Sequence, residues 1–197
     1  MGSVIGAEKN SQVIILLGAP ASGKGTQAKF IAKELNIPHI STGDLFRENI
    51  KNKTKLGLEA QTTIQQGKLV SDTLVLDMLF SRIAQPDAQK GYLLDGFPRT
   101  VPQAQAYEKH IGNLVKLIAI NIEVPDSILL ERIASRQKAE GRVDDTQEIA
   151  KERLKVYQEQ TAPLIAFYGS QGILHKVQGN TSIEDVQKQI MSILNKK

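Results

Sequence analysis

At 197 residues, 41% hydrophobic and 23% charged, the chain suits one domain with small inserted lobes and can bury a core. It has no cysteine, which excludes disulfides, thiolate catalysis and cysteine-ligated zinc. Few aromatics (5%, no Trp) argue against stacking platforms for single-stranded nucleic acid, and a net charge of only +4 suits nucleic acid or a pocket for a polyanionic small molecule equally, with no run of like charges to decide for the former. Met1 to Gln12 lacks a basic region followed by an apolar stretch, and Gly6 stands where a myristoylation signal needs Ser or Thr. No apolar run approaches the length of a membrane span, so a soluble, cytoplasmic protein without membrane or nucleic-acid partners is expected, a monomer by default.

Residues 1–12 are polar and expected to fray. Val13 to Leu17 is short, apolar and rich in β-branched residues, the pattern of a buried strand. Gly18-Ala19-Pro20-Ala21-Ser22-Gly23-Lys24 follows, and then Ala28, Ile31, Ala32 and Leu35 recur on one helix face. Strand, glycine loop, lysine and helix are the parts of a phosphate cradle. Backbone N–H groups and the helix N-terminus meet the anion, and Lys24 adds a point charge. Gly25 departs from the general P-loop pattern by standing where Ser or Thr would meet magnesium, and Thr26 comes one residue later.

Pro38 keeps Asn36 to Ile40 extended, and Ser41-Thr42-Gly43-Asp44 offers caps for a helix through Leu45-Phe46-Arg47. From Lys51 to Gly67 apolar residues are sparse (Leu56, Leu58, Ala60, Ile64), which suits a peripheral lobe rather than a core element. Ser71-Asp72 opens a helix with the stripe Leu74, Val75, Met78 and Leu79. Gly91 to Asp95 reads as a second buried strand, closed by Gly96-Phe97-Pro98-Arg99; Val101 to His110 is helical and Lys116 to Val124 a third strong strand. A helix begins at Pro125-Asp126-Ser127, a polar stretch spans Lys138 to Asp145, and a long helix starts near Thr146 with a kink or restart at Pro163. Gly172 to Val177 is the last strand, and Thr181-x-x-Glu184 resembles a capping box for the final helix. Alternating strands and helices predict a parallel sheet with helices on both faces and ligands beyond the carboxyl ends of the strands.

The chain has seven arginines, at 47, 82, 99, 132, 136, 142 and 153. All but Arg82 follow the loops or lie between 132 and 153, and arginine's planar fork suits phosphate oxygens. Phosphoryl transfer requires mainly positioning and charge neutralisation, which agrees with the lack of a nucleophile–base arrangement. His39, His110 and His175 lack metal-ligand spacing and read as structural or exposed. Asp95, ending a strand, either holds hydrated Mg²⁺ or caps a turn.

Five motifs in order resemble the adenylate kinase family: Gly18 to Gln27, Ile40 to Arg47, Gly67 to Val70, Asp95 to Thr100 with Gln103, and Gly141 to Asp145 followed by Arg153. The resemblance runs from about Val13 to the last helix. It implies a P-loop three-layer α/β fold with a five-stranded parallel sheet, and Mg²⁺-dependent exchange of ATP plus AMP with two ADP. The core would comprise 1–40, 71–134 and 146–197, the AMP-binding lobe 41–70, and a short lid 135–145. Ala21, Ser22, Gly23, Lys24, Gly25, Thr26, Arg132, Arg136 and Thr181 would bind ATP. Thr42, Arg47, Lys68, Leu69, Val70, Gly96, Phe97, Pro98, Arg99, Gln103, Arg142 and Arg153 would bind AMP, Gln103 reading adenine. Lys24, Arg99, Arg136, Arg142 and Arg153 would act in catalysis, and Asp95 would hold Mg²⁺ through water. Ala21 replaces the family's usual glycine, at a cost of about 1–2 kcal/mol if the site needs positive φ. The short, cysteine-free lid implies no zinc. A UMP/CMP kinase is disfavoured by Thr42 and Thr100, and a P-loop switch without transfer does not call for Thr42, Arg47, Arg99 and Gln103 together.

Overall fold

The apolar run behind the glycine loop becomes the central strand of the sheet. A computed structural model describes residues 11–112, 115–140 and 146–195, with 136–140 and 147 by backbone only. Strand β1 (Gln12–Leu17) pairs in parallel with β3 (Gly91–Asp95) on one side and β4 (Lys116–Glu123) on the other. The edges are β2 (His39–Ser41) and β5 (Leu174–Gln178). Among the described residues these strands form one sheet in the order β2-β3-β1-β4-β5. β1 starts at Gln12, so the expected frayed segment ends at least one residue earlier than residue 12, and Ser11 is already buried.

Alternation along β1 feeds two cores. Val13, Ile15 and Leu17 pack with α4 (Asp72–Ile83), α5 (Val101–Ile111) and α8 (Pro163–Ser170). Ile14 and Leu16 face α1 (Lys24–Leu35) and α9 (Ile183–Leu194) through Ala28, Ile31, Val186 and Ile190. Burial on both faces explains why the strand reads as a continuous apolar run rather than an alternating one.

Two helices grow from the rim. α2 (Thr42–Lys51) is capped by Ser41 and α3 (Lys55–Gln65) by Thr54, each side chain accepting from a backbone N–H three residues on. α3 was not foreseen as a helix. Its contact with α2 rests on Gly57, where an added Cβ would overlap the Asn49 backbone, and on buried Ala60. α6 (Asp126–Glu140) extends through the first residues of the expected lid, while 141–145 lie outside the described residues. α7 (Gln147–Val156) continues into a π-helical turn, Tyr157–Thr161, closed by Ala162 N–H on Tyr157 O at 2.8 Å, before Pro163 restarts the helix. The final helix is capped by Ser182 accepting from Asp185 N–H, not by Thr181, whose hydroxyl turns back onto Gln178 O. Among the described residues no helix is long and apolar enough to cross a membrane.

Candidate functional site

The loop after β1 is built from backbone. Gly18 has φ 142°, and a Cβ there would meet Ser22 Oγ at 2.7 Å and Ile122 O at 2.8 Å, so the loop closes tightly only over a glycine. Ala21 does adopt positive φ, 64°, the conformation in which alanine is strained. Gly23, also left-handed, starts α1 without a side-chain cap, and the first turn carries no acidic residue. The helix therefore points its N-terminal N–H groups and partial positive charge at the loop interior. Lys24 Nζ donates to Gly18 O (2.7 Å) and Ala19 O (2.9 Å), which places the ammonium inside the cradle. Arg132 closes one side, donating to Gly179 O at 2.9 Å and to Ser22 O at 3.5 Å.

A second set of side chains gathers beyond β3, and here the construction is a hydrogen-bond network. Thr42 Oγ1 and Arg99 Nε both donate to Gly96 O at 2.8 Å. Arg99 N–H donates to Gln103 Oε1 (2.8 Å), and Gln103 Nε2 donates to Asp72 Oδ1 (2.7 Å). Thr161 in the π turn donates to Arg99 O at 2.9 Å. Phe97 goes into the core, its ring edge-on to Tyr107 with centroids 5.6 Å apart, which anchors the loop from below. Arg47 pairs with Asp44 on the exposed side of α2.

These two constructions border two connected spaces. A cleft of about 620 Å³ lies over the P-loop and is lined by Ala21 to Thr26, Asp95, Pro98, Arg132 and Thr181. A pocket of about 80 Å³ lies beside α2 and α3 and is lined by Thr42, Phe46, Ile64, Lys68, Val70 and Gln103, with Leu69 and Gly96 at its mouth. Arg47, Arg99 and Arg153 line both spaces. α7 brings Arg153 there by lying against Gly67, whose would-be Cβ meets Arg153 Cγ at 3.1 Å.

Asp95 ends β3 facing the start of α1, its Oδ2 3.6 Å from where a Cβ on Gly25 would stand. Burial alone would raise its pKa. The His39 hydrogen bond (3.4 Å) and the charges of Lys24, His39 and Arg99 outweigh burial and hold the carboxyl below its ordinary value. It is therefore a carboxylate at neutral pH. Among the described residues no group of three His, Cys, Asp or Glu could hold a metal. A single anionic oxygen next to the phosphate cradle fits a hydrated Mg²⁺ that arrives on phosphates, since that ion keeps most of its waters.

The structure brings together every sequence-expected residue that it describes except the Phe97 side chain; Arg142 lies outside the described residues and Arg136 is given by backbone only. Arg82, the arginine set aside, makes a two-pronged pair with Asp87 at 2.7 and 2.9 Å. Sequence reasoning missed three residues. His39, read as structural or exposed, is on the cleft wall against Asp95. Asp72, read only as a helix start, holds Gln103, and Thr161 holds Arg99. His39 and Ser41 share one side of β2 by the two-residue period, the one signal that pointed toward the rim.

A family model described as adenylate kinase matches residues 16–173. The chain is 45% identical to an adenylate kinase of Lachnospira eligens, over 92% of this chain and 99% of that protein. It is 46% identical to one of Xylella fastidiosa and 43% identical to one of Stenotrophomonas maltophilia, each over 92% of this chain and 98% of the relative.

Proposed function

The chain belongs to the adenylate kinase family, and we propose how its residues divide the reversible transfer of the terminal phosphoryl group of ATP to AMP, giving two ADP. The observation that carries the reading is the sharing of Arg47, Arg99 and Arg153 by the P-loop cleft and the smaller pocket. A donor nucleotide in one space and an acceptor nucleotide in the other would bring two sets of phosphate oxygens to one group of guanidinium forks.

In this reading Ala21 to Thr26 hold the ATP phosphates through backbone N–H groups, Lys24 turns from the loop carbonyls to the phosphates, and Arg132 and Thr181 border the ATP base. AMP occupies the smaller pocket. Its ring lies on Phe46, Ile64 and Val75, Gln103 reads its edge, and Thr42, Lys68, Leu69, Val70, Gly96 and Pro98 complete the wall. Arg47 and Arg99 neutralise the AMP phosphate. Arg136, Arg142 and Arg153 neutralise the charge that spreads over the transferring group. No general base is needed, because the attacking phosphate is already anionic. Asp95 would hold the hydrated Mg²⁺ of the nucleotide, which adds positive charge at the phosphate oxygens.

Segments 41–70 and 135–145 act as the acceptor lobe and a short lid that exclude water once both nucleotides are bound. The alignment with the L. eligens protein spans 210 positions, more than this whole chain, so that relative carries residues this chain lacks, in keeping with the short-lid form. The protein works as a cytoplasmic monomer, which sedimentation of the purified protein checks. The direct test of the reaction is a panel of AMP, CMP, UMP and GMP with ATP and Mg²⁺. ADP formation from AMP above the others is expected; turnover of CMP or UMP but not AMP would overturn the assignment.

A further inference from the structure

Gln103 is 1% exposed, yet it forms part of the wall of the small pocket, and each end of its amide is engaged once. The two ends of a primary amide are nearly identical in shape, so a glutamine on a pocket wall can turn over and present donor and acceptor in either order. Here the neighbours select one order. The backbone N–H of Arg99 can only donate, and it meets Oε1 at 2.8 Å. The Asp72 carboxylate can only accept, and it meets Nε2 at 2.7 Å. Asp72 is itself fixed in position as the first residue of α4, separated by Ser71 alone from the pocket residues Lys68 to Val70.

Once these two bonds are made, the amide has one N–H and one oxygen lone pair left, in fixed order. A 6-amino purine presents a donor at carbon 6 beside an acceptor ring nitrogen and matches that pair. A 6-oxo purine presents an acceptor at carbon 6 and sets oxygen against oxygen. To accommodate it, Gln103 would have to turn over. That would point its oxygen at the Asp72 carboxylate and its N–H at the Arg99 N–H. Leaving buried polar groups in such opposition is what lets a site reject an analogue strongly. The aliphatic and aromatic side chains of this pocket, Phe46, Ile64, Val70 and Val75, contribute contact area without distinguishing amino from oxo.

We propose that Asp72 is a specificity-determining positioning residue, which together with the Arg99 N–H holds the Gln103 amide in the orientation that accepts 6-amino purine monophosphates and rejects 6-oxo ones. The proposal rests on the reading that Gln103 faces the acceptor base. It predicts that Asp72→Asn, whose amide can accept or donate, lifts one of the two constraints on turning Gln103 over and leaves only the Arg99 N–H opposed to it. The experiment measures kcat/KM for AMP and for IMP, the isosteric 6-oxo analogue, in wild type, Asp72→Asn and Gln103→Ala, with ATP saturating. In Asp72→Asn the AMP:IMP ratio is expected to fall on the order of tenfold or more, with KM for ATP unchanged. If Asp72→Asn is insoluble, Asp72→Ser, which also donates or accepts, carries the same expectation. An unchanged ratio in the Asp72 variant with a collapsed ratio in Gln103→Ala would overturn the lock while leaving Gln103 as the reader. An unchanged ratio in both would overturn the reading of Gln103 as well, and the lock with it.

Discussion

The P-loop and the acceptor pocket sit at the ends of neighbouring strands but are made of different material. The P-loop uses backbone: Gly18, Ala21 and Gly23 take φ values that expose N–H groups, and Lys24 supplies the charge. The pocket uses side chains held by one another, from Thr161 through Arg99 and Gln103 to Asp72. Backbone N–H groups recognise phosphate regardless of the base, whereas an ordered side-chain network can discriminate one base edge from another. The first region should therefore lose rate when one charge is removed, and the second should lose selectivity or local packing.

The largest effect expected is on the first region and on Arg153, one of the three arginines that join it to the second. Lys24→Ala and Arg153→Ala should lower kcat by ~10²–10³-fold, as for other charge-stabilising groups in phosphoryl transfer, with small changes in melting temperature. A coupled ADP assay beside a thermal melt checks this; parallel losses of rate and melting temperature would make the residues structural. In the second region, Gly57→Ala forces a methyl into the Asn49 backbone, an overpacking that costs about 1–3 kcal/mol. KM for AMP should rise more than KM for ATP, because α3 borders only the acceptor pocket whereas α2 also reaches the P-loop cleft through Gly43, Asp44 and Arg47.

Between the regions lies Asp95, and its effect depends on pH. Its pKa in the folded chain is below the unfolded value, so the folded state is stabilised by the carboxylate above the ordinary carboxylate range. That stability is lost as pH falls from the ordinary value through the lower folded one. Asp95→Asn should flatten the acid side of a melting-temperature-against-pH curve and leave the neutral side level; an acid limb identical to wild type would refute the pairing. The smallest effect belongs to Ala21. Glycine relieves the strain at φ 64° but loses more conformational freedom on folding, so Ala21→Gly should stabilise by no more than ~1 kcal/mol in a chemical denaturation series.

The P-loop was fully legible in the sequence because backbone devices leave marks: glycines, a lysine and the shift from strand to helix. Buried strands were legible for the same reason, as β-branched runs at Val13 and Lys116. What stayed hidden depended on small residues or on contacts distant in sequence. Helix α3 packs through Gly57 and Ala60, which carry no hydrophobic stripe. Asp72 and Gln103 are 31 residues apart, and Thr161 and Arg99 are 62 apart, so only the fold brings them together. The cap of α9 was misplaced by one residue because Thr181 and Ser182 are chemically equivalent candidates, and the turn after β5 decides between them.

The π turn at Tyr157–Thr161 sets the angular phase of α7 relative to α8. Each residue advances a helix by about 100°, so the residue that widens this turn is also the one that aims Arg153. Leu164 and Tyr168 fix α8 in the core, and their direction is independent of what precedes Pro163. Removing a single residue from 157–161 would leave that anchoring intact and swing Arg153 by about a quarter turn away from the cleft. Five residues of widened helix thus serve as an angular setting, translating a fixed core into the bearing of one guanidinium.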